Sequence, residues 1–325
     1  MTDRFPRLPL EIERHGPWRR LAPLAGDASQ RRYARLWRAG SGTAIAVLYP
    51  VGAEQVLARD LEVRTWLEVR GLRVPRLLAA ATAEGWALLE DFGAEDAATG
   101  LVALDDSGRA AALSRLLDPL EALARLDPED LPSWTTPLDR DRLRWELCGF
   151  ELWYLRHARR LSPSAGVGAW LDEFAAECAA APTRVCHRDY HLNNLFLLDD
   201  GSVGIIDFQD VLVGPEAYDL VSLVGERDAL ELVSQPLRQA AVQSWAARTA
   251  VAAGWPRRVT VIAAQRGLKV LGTFARLEAT RRTAYGRWLE PLAASTARLL
   301  GAVGAPGELV GLLLHSSGQG GPHVR

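Results

Sequence analysis

The segment from Cys186 to Asp210, CHRDYHLNNLFLLDDGSVGIIDFQD, places many polar side chains in an otherwise apolar stretch. Burying a carboxylate or an amide is costly unless the group is paired or bound to a cation. The pattern is typical of a loop followed by two short strands joined at an Asp-Asp-Gly turn, which would bring Asn194 near Asp207. Their oxygens suit Mg²⁺, and Asp189 on the same loop could accept a proton from a hydroxyl. The segment therefore predicts a site that combines a metal with an acid-base group.

Two other interpretations of this segment are open. A hairpin with polar ends could be purely structural. Alternatively, His187, Asp189 and His191 could be metal ligands of a hydrolase. Only six histidines occur in the chain, and the other four fall in no second ligand motif.

Length and composition limit the class of protein. A chain of 325 residues exceeds the usual size of one hydrophobic core, which predicts two lobes. The formal net charge of −2 provides no general attraction for nucleic acid or anionic membranes, so neither is expected as a partner. Three cysteines without C-x-x-C spacing predict neither a disulfide framework nor a zinc site. With no signal-peptide pattern and no long apolar run, we expect a cytoplasmic protein.

The elements that must position the polar segment change along the chain. Up to residue 92, short β-like runs alternate with turn residues around one helical segment, Ala53 to Val69, which predicts a small N-terminal lobe over residues 1–92. Residues 93–314 read as a helical lobe, with helices near 106–126, 139–160, 166–180, 216–232, 236–253, 257–280 and 285–303. Residues 315–325 are rich in Gly and Ser, which predicts a disordered tail.

The polar segment resembles the aminoglycoside phosphotransferase and choline kinase family. The family motif H-x-D-x-H-x-x-N matches the residues from His187 to Asn194, and I-D-F matches the three residues around Asp207. The resemblance implies an α+β, protein-kinase-like fold in two lobes: a small antiparallel β N-lobe and a larger, mainly helical C-lobe with a catalytic hairpin. It also implies that residues 1–92 are the nucleotide-binding lobe and that residues 93–314 are the catalytic and acceptor-binding lobe. It implies ATP and Mg²⁺ as cofactors, Asp189 as catalytic base or hydroxyl-orienting group, and Asn194 and Asp207 as metal ligands.

Two further residues receive supporting roles from the resemblance. His187 matches a family histidine that organises the catalytic loop through hydrogen bonds. Asp219 fits a family aspartate that anchors the backbone of that loop, although an N-cap of the following helix is an alternative.

The helix also begins soon after Asp207, which leaves no room for the peptide platform of protein kinases, so a small molecule is the expected acceptor.

The nucleotide side departs from the family pattern. Small residues in the GDASQRRY segment, Gly26, Ala28 and Ser29, sit where a glycine-rich hairpin would cover the phosphates. The strand TAIAVLYP ends without the usual phosphate-binding lysine, and the only lysine, Lys269, lies in the helical lobe. Arg31, Arg32 or Arg59 could replace it, or the phosphates could depend on Mg²⁺ and backbone donors. Loss of this lysine also fits a pseudokinase that keeps the fold without turnover.

The WALLEDFG segment resembles the edge strand and hinge that bind adenine through the backbone, around Glu90 and Phe92. Together with QRGLKVLGTFARL and IDFQDVLVGPEAYDLVSL, these motifs resemble the cell-wall amino-sugar kinases, which phosphorylate the anomeric hydroxyl of N-acetylmuramate and N-acetylglucosamine in peptidoglycan recycling. Other acceptors, such as an aminoglycoside, a choline-like alcohol or a neutral hexose, are the alternative.

Acceptor recognition needs hydrogen-bond partners and an aromatic face. Glu146 and Trp153 lie seven residues apart in a helix that borders the acceptor pocket in related kinases, which predicts them on one face. We assign these two residues and His191 to sugar binding, although Trp153 could equally belong to the core. Lys269 and Arg276 could face acidic groups or Mg-ATP, or they could form a salt-bridged helix surface.

Overall fold

The computed structural model describes residues 12, 18–24, 30–38, 42–226, 228–251, 253–281 and 285–314. Its strands are β1 Trp18–Leu24, β2 Arg32–Arg38, β3 Thr43–Leu48, β4 Leu77–Ala81, β5 Trp86–Glu90, β6 Thr183–Cys186, β7 Leu195–Leu197, β8 Val203–Ile205 and β9 Leu212–Pro215. Its α-helices are α1 Glu54–Glu68, α2 Ala97–Val102, α3 Asp106–Ala124, α4 Arg140–Gly149, α5 Ala165–Ala179, α6 Tyr218–Gly225, α7 Asp228–Leu232, α8 Gln235–Thr249, α9 Trp255–Arg281, α10 Gly286–Ala302 and α11 Gly307–Leu314. A π-helix, Phe150–Ala158, continues directly from α4.

The chain divides into two compact units. The first contains the residues up to Gly100 together with Asn193–Gln209, and the second contains Leu101–Leu192 together with the residues from Asp210 onward. The antiparallel sheet and the mainly helical unit confirm the predicted fold class. The β7–β8 hairpin, however, groups with the sheet, whereas the division predicted at residues 92 and 93 left it in the helical lobe. The predicted tail over 315–325 lies outside the described residues.

The sheet of the first unit has the strand order β1-β2-β3-β5-β4, with every neighbouring pair antiparallel. Side chains alternate between its two faces, as the period of a strand requires. One face packs into a core that contains Ala34, Leu36, Ala44, Ala46, Trp86 and Leu88. Strand β4 was not predicted, because LLAAA contains no β-branched or aromatic residue. As a result β5, which we expected at the edge, is an inner strand.

The β7–β8 hairpin holds two predicted metal ligands at its ends. Asn194 immediately precedes β7, and Asp207 follows β8 by two residues; Leu195 pairs with Ile205 in the hairpin. The Ile205 N–H donates to the carbonyl of Arg73 at 2.8 Å, within the first unit. Gly204 faces Phe92, and a Cβ placed on this glycine would lie 2.6 Å from the ring. Only glycine therefore allows this approach of Phe92 to the hairpin.

The second unit is built around α9, which packs against α4 and the π-helix where these two meet. A Cβ placed on Gly272 would lie 2.5 Å from the Phe150 nitrogen, so the backbones touch at this glycine. The predicted single helix over 139–160 is thus an α-helix followed by a π-helix. The wider π turn changes which positions share a face: Glu146 is buried, whereas Trp153 is partly exposed.

The remaining elements of this unit hold the loop after β6. Strands β6 and β9 pair antiparallel, with Cys186 opposite Leu212. The helix predicted over 216–232 is two helices, α6 and α7, and α11 was not predicted. Among the described residues, no helix combines the length and the apolar character that a membrane span needs.

Candidate functional site

The loop after β6 is anchored by the carboxylate of Asp219. Asp219 Oδ2 accepts from the His187 N–H at 2.5 Å, and Oδ1 accepts from the Arg188 N–H at 2.8 Å. Asp219 is 2% exposed. It lies inside α6, whose N-cap position is Ala217, so Asp219 does not cap this helix. Burial raises the pKa of Asp219, while the charge of His187 and the two N–H groups oppose this change.

Arg188 adopts a left-handed backbone conformation, with φ of 81°. This conformation is uncommon for a residue with a side chain, and it costs of order 1–3 kcal/mol. Two contacts of Arg188 hold this conformation in addition to the bond to Asp219, and a third bond holds its partner Glu146. The carbonyl of Arg188 accepts from Arg266 Nη1 at 3.0 Å, and its own Nη2 donates to Glu146 Oε1 at 2.9 Å. Glu146 Oε2 accepts from Gln265 Nε2 at 2.9 Å. The residue before Asp189 is therefore fixed by buried charges.

Arg266 is the deepest of these charges, at 1% exposed. Its Nε donates to Glu226 Oε1 at 2.6 Å, its Nη2 donates to Ser222 Oγ at 3.0 Å, and its guanidinium lies 4.2 Å from the Tyr218 ring centroid. A buried ion is tolerated only with such full pairing. The contacts link α6 and α9 to the loop backbone.

Asp189 faces the only lysine of the chain. Lys269 Nζ lies 3.7 Å from Asp189 Oδ1, and the two side chains are 18% and 32% exposed. Within the part of the chain that the structure describes, this ion pair is the only polar contact of the Lys269 ammonium. Burial alone would raise the pKa of Asp189, but Lys269, Arg266 and other nearby cations reverse this effect and hold it below its ordinary value. Asp189 is thus kept as a carboxylate.

The two histidines of the loop are organised with its backbone. His187 is 1% exposed, and its ring contacts Tyr190 edge-on with centroids 5.8 Å apart. His191 is 9% exposed, and its N–H donates to the Asp189 carbonyl at 3.0 Å. No three His, Cys, Asp or Glu side chains form a metal-binding group within the described ranges. The structure therefore does not support a hydrolase site made of His187, Asp189 and His191.

In the first unit, Asn194 and Asp207 frame the β7–β8 hairpin. The Ile206 N–H donates to the Asn194 carbonyl at 3.0 Å, which holds the two ends of the hairpin together. Asp207 has a φ of 61°, and its Oδ1 accepts from Gln209 Nε2 at 2.9 Å. Its side chain is 39% exposed. An amide and a carboxylate form an oxygen-only donor set that fits Mg²⁺, which usually takes few protein ligands and completes its shell with water and phosphate.

Arg31 is the cation beside this carboxylate. Its Nη2 lies 3.4 Å from Asp207 Oδ1, and its Nη1 lies 3.0 Å from Asp60 Oδ2 on α1. Arg32, the next residue, is exposed. The predicted phosphate-covering residues Gly26, Ala28 and Ser29 lie outside the described residues.

The segment from Glu90 to Gly93 is held by its own side chains. Glu90 accepts from both Nη atoms of Arg73 at 2.7 Å, which lowers the pKa of Glu90 to about 2 against the opposing effect of burial. The Glu90 N–H donates to the Arg76 carbonyl. Phe92 packs against Phe196, with centroids 5.7 Å apart. These side chains have structural contacts, and a role of the backbone in adenine binding stays a prediction.

A guanidinium also clamps the turn after β5. Arg35 Nε and Nη2 donate to the two oxygens of Asp91 at 2.6 and 2.9 Å, and Nη2 also donates to the Gly93 carbonyl at 2.5 Å. Such a bidentate contact fixes orientation as well as charge. The turn that follows β5 is therefore rigidly held within the first unit.

The residues predicted to bind the acceptor are not equivalent. Glu146 is 6% exposed, and its oxygens accept hydrogen bonds from Arg188 and Gln265, so it supports the loop. Its role in acceptor binding stays a prediction. Trp153 is partly exposed and packs on His157, with centroids 5.5 Å apart. Trp153 and His191 stay predictions as acceptor-binding residues.

Several functional candidates were missed or left undecided by sequence reasoning. Asp60, Arg35 and Arg266 are charged residues whose partners are distant in sequence, so no local motif reveals them. Lys269 carried one signal, since it is the only lysine in a chain with 38 basic residues.

A family model described as the APH phosphotransferase enzyme family matches residues 20–260. A curated relative from Pseudomonas aeruginosa, named N-acetylmuramate/N-acetylglucosamine kinase, is 32% identical over 271 residues, covering 79% of this chain and 76% of the relative. Relatives with the same name from Neisseria meningitidis and Caulobacter vibrioides are 30% and 31% identical, and each alignment covers 78% of this chain, with 77% and 80% of the relatives.

Solved structures agree with the fold. An aminoglycoside phosphotransferase from Streptomyces rimosus, solved with ADP and streptomycin, has a TM-score of 0.57 at 22% identity, covering 79% of this chain and 96% of that one. A choline kinase from Streptococcus pneumoniae has a TM-score of 0.62 at 13% identity, covering 90% and 97%. These comparisons confirm the resemblance that the motifs indicated. The chain belongs to the phosphotransferase enzyme family, and it is a phosphotransferase that acts on a hydroxyl acceptor.

Proposed function

We propose that this protein transfers the γ-phosphoryl group of ATP to the anomeric hydroxyl of an N-acetylated amino sugar, N-acetylmuramate or N-acetylglucosamine. The observation that carries this proposal is Asp189, held as a carboxylate by Lys269 on a loop whose backbone is fixed by Asp219. Phosphoryl transfer depends mainly on positioning and on neutralising charge, and the loop is built for positioning.

Asp189 orients the acceptor hydroxyl and receives its proton. A carboxylate with a lowered pKa is a weak base, which suits an acceptor whose proton is already acidic. An anomeric hydroxyl is more acidic than an ordinary alcohol, so this acceptor matches the base. Arg266 and Asp219 hold the backbone of Arg188 in its left-handed conformation, so the residue before Asp189 is fixed without substrate.

Asn194 and Asp207 would hold Mg²⁺, which supplies charge neutralisation for the phosphates of the nucleotide. Their positions at the two ends of one short hairpin support a shared ligand, because the backbone bond between Ile206 and Asn194 fixes their separation. Gln209 donates to Asp207 and orients its carboxylate.

The small acceptor is supported by the chain between the hairpin and α6. Only ten residues separate Asp207 from Tyr218, where α6 begins, and four of these form β9. A peptide platform does not fit into this length. The curated relatives are named for amino sugars, which favours a sugar over the drugs and choline named for the structural neighbours. We place the reaction in cytoplasmic recycling of peptidoglycan sugars.

The test is a turnover screen with Mg-ATP against amino sugars, hexoses, aminoglycosides and choline, followed by phosphorus NMR of the product. We expect ADP release with N-acetylmuramate or N-acetylglucosamine and a phosphorus signal coupled to the anomeric proton. Coupling to any other sugar proton would exclude the anomeric position. Turnover with only an aminoglycoside or choline would show that the proposed amino-sugar acceptor is wrong. The absence of ADP release with every acceptor would support a pseudokinase.

A further inference from the structure

Strand β3 lacks the lysine that binds nucleotide phosphates in kinase-like proteins, and its end presents Tyr49 instead. The Tyr49 hydroxyl donates to Asp60 Oδ2 at 2.6 Å. Arg32 pairs with Leu48 in the sheet, so Arg31 lies beside Tyr49 at the start of the neighbouring strand. The cation that meets Asp60 is therefore the residue immediately before β2.

Asp60 is a buried carboxylate whose charge is paired with Arg31. It is 8% exposed on the inner side of α1, and its Oδ2 receives both the Tyr49 hydroxyl and Arg31 Nη1. A buried carboxylate persists only when it is paired in this way. The rings of Tyr33 and Tyr49 each lie 5.9 Å from the Arg31 guanidinium, which adds cation–π attraction. Asp60 and the two rings fix the direction of the guanidinium.

The second nitrogen of Arg31 has a much weaker partner. The 3.4 Å separation between Nη2 and Asp207 Oδ1 is long for a charged hydrogen bond. The Asp207 side chain is 39% exposed, whereas the Asp60 side chain is 11% exposed. Water therefore screens the contact with Asp207 far more than the contact with Asp60. Of the two carboxylates that contact Arg31 within the described residues, Asp60 is the permanent partner and Asp207 is the one that a ligand can replace.

We propose that Arg31, anchored by Asp60, is the phosphate-binding cation that replaces the missing β3 lysine. This inference rests on the proposed function, in which Asp207 is a ligand of the nucleotide-bound metal. A guanidinium presents several N–H donors in a fixed, planar arrangement, so one nitrogen can stay bound to Asp60 while another binds phosphate oxygens. Asp207 would hold the metal, which would leave Nη2 of Arg31 to bind the phosphates while Nη1 keeps its bond to Asp60.

The test compares the binding of Mg-ADP and of adenosine by calorimetry. Arg31→Ala should weaken Mg-ADP binding by about 10-fold to 100-fold, as expected for loss of one or two charged hydrogen bonds, and should leave adenosine affinity unchanged. Arg31→Lys should recover part of the loss. Arg38→Ala is the matched control, because this arginine lies at the other end of β2 over the Trp18 ring, and it should bind both ligands like wild type.

Arg31→Ala alone leaves Asp60 buried without its cation, so folding could fail for that reason. The double variant Arg31→Ala/Asp60→Asn removes both charges and should fold, yet it should still bind Mg-ADP at least 10-fold more weakly than wild type. Wild-type Mg-ADP affinity in the double variant, or a loss in Arg32→Ala in place of Arg31→Ala, would overturn the proposal. Wild-type protein that binds no Mg-ADP would instead refute the proposed function.

Discussion

The two carboxylates that we place at the reaction have opposite surroundings. Asp189 lies on a loop that is supported by buried residues. These are Asp219, Arg266 and Glu146, which are 2%, 1% and 6% exposed. The side chain of Asp207 is 39% exposed, and its ion pair with Arg31 is 3.4 Å long. One carboxylate is thus set by a buried network within the second unit, and the other is held loosely within the first.

The surroundings of Asp189 and of Asp207 indicate what fixes the position of each carboxylate. The loop of Asp189 bears the free-energy cost of its buried charges and of the left-handed Arg188 in the absence of any ligand. The position of the base therefore does not depend on substrate. The charge of Asp207 is balanced by an arginine that a ligand can displace. We therefore expect mutations around Asp189 to change the chemical step or stability, and mutations around Asp207 to change nucleotide binding.

The largest effect is expected for Asp189→Asn, which tests whether Asp189 acts in the chemical step and not in nucleotide binding. The amide cannot accept the proton, so kcat should fall by about 10²-fold to 10⁴-fold. Mg-ADP affinity should stay within a factor of about two, since the nucleotide is bound by other residues. Steady-state kinetics and calorimetry on the same preparation measure the two effects. A kcat near that of wild type would remove Asp189 from the reaction.

Removing the deepest support should cost stability. Arg266→Met leaves Glu226 buried without its cation, which should lower the free energy of unfolding by about 3–5 kcal/mol in urea titration. Arg257→Met on the same helix breaks an exposed pair with Glu177 and should cost less than about 1 kcal/mol. Equal losses in the two variants would contradict the assigned role of the buried network.

The close approach of α9 to the π-helix predicts a smaller effect. Gly272→Ala places a Cβ 2.5 Å from the Phe150 nitrogen, and the required backbone shift should cost about 1–3 kcal/mol. Gly168→Ala in α5 meets no atom within 4 Å and should be neutral or stabilising by up to about 1 kcal/mol. Urea unfolding of both variants measures the difference, and a neutral Gly272→Ala would show that the helices can separate without cost.

The smallest expected effect is a change in pH dependence. Lys269 lowers the pKa of Asp189, so the carboxylate stays ionised as the pH falls. In Lys269→Met the pKa of Asp189 should rise, and the acidic limb of the kcat/KM profile should move to higher pH. The control Arg257→Met should keep the wild-type profile. An unchanged acidic limb in Lys269→Met would mean that Lys269 does not control this carboxylate.

The fold was largely predictable because its elements carry their own signals. Alternating residues in β2 and β3 and the helical spacing of most long segments gave their positions to within a few residues. Failures occurred where the local signal was absent or misleading. LLAAA contains no typical strand residue, so β4 was missed. The π-helix begins at Phe150, where Gly272 packs against it, and this contact joins residues more than a hundred positions apart.

The arrangement of the candidate site was predictable where one motif holds its residues together. The order of loop and hairpin predicts the positions of Asp189, Asn194 and Asp207, and their roles stay predictions. The ion pair of Glu146 was not predicted, because a charged residue on a predicted amphipathic helix gives no sign of a buried partner, and that partner, Arg188, is distant in sequence. Arg31 could not be chosen over Arg32 from sequence alone, since only the pairing with Leu48 and Tyr49 decides which side chain meets Asp60.

The ion pair of Lys269 with Asp189 also has a chemical consequence. Because the chain contains a single lysine, reagents that acylate side-chain amines have one target in the whole protein. That amine lies 3.7 Å from Asp189 Oδ1, and its side chain is 18% exposed. Acylation of a side-chain amine in this phosphotransferase therefore takes place beside its candidate base, and no other lysine has to be removed to attach a reporter group there.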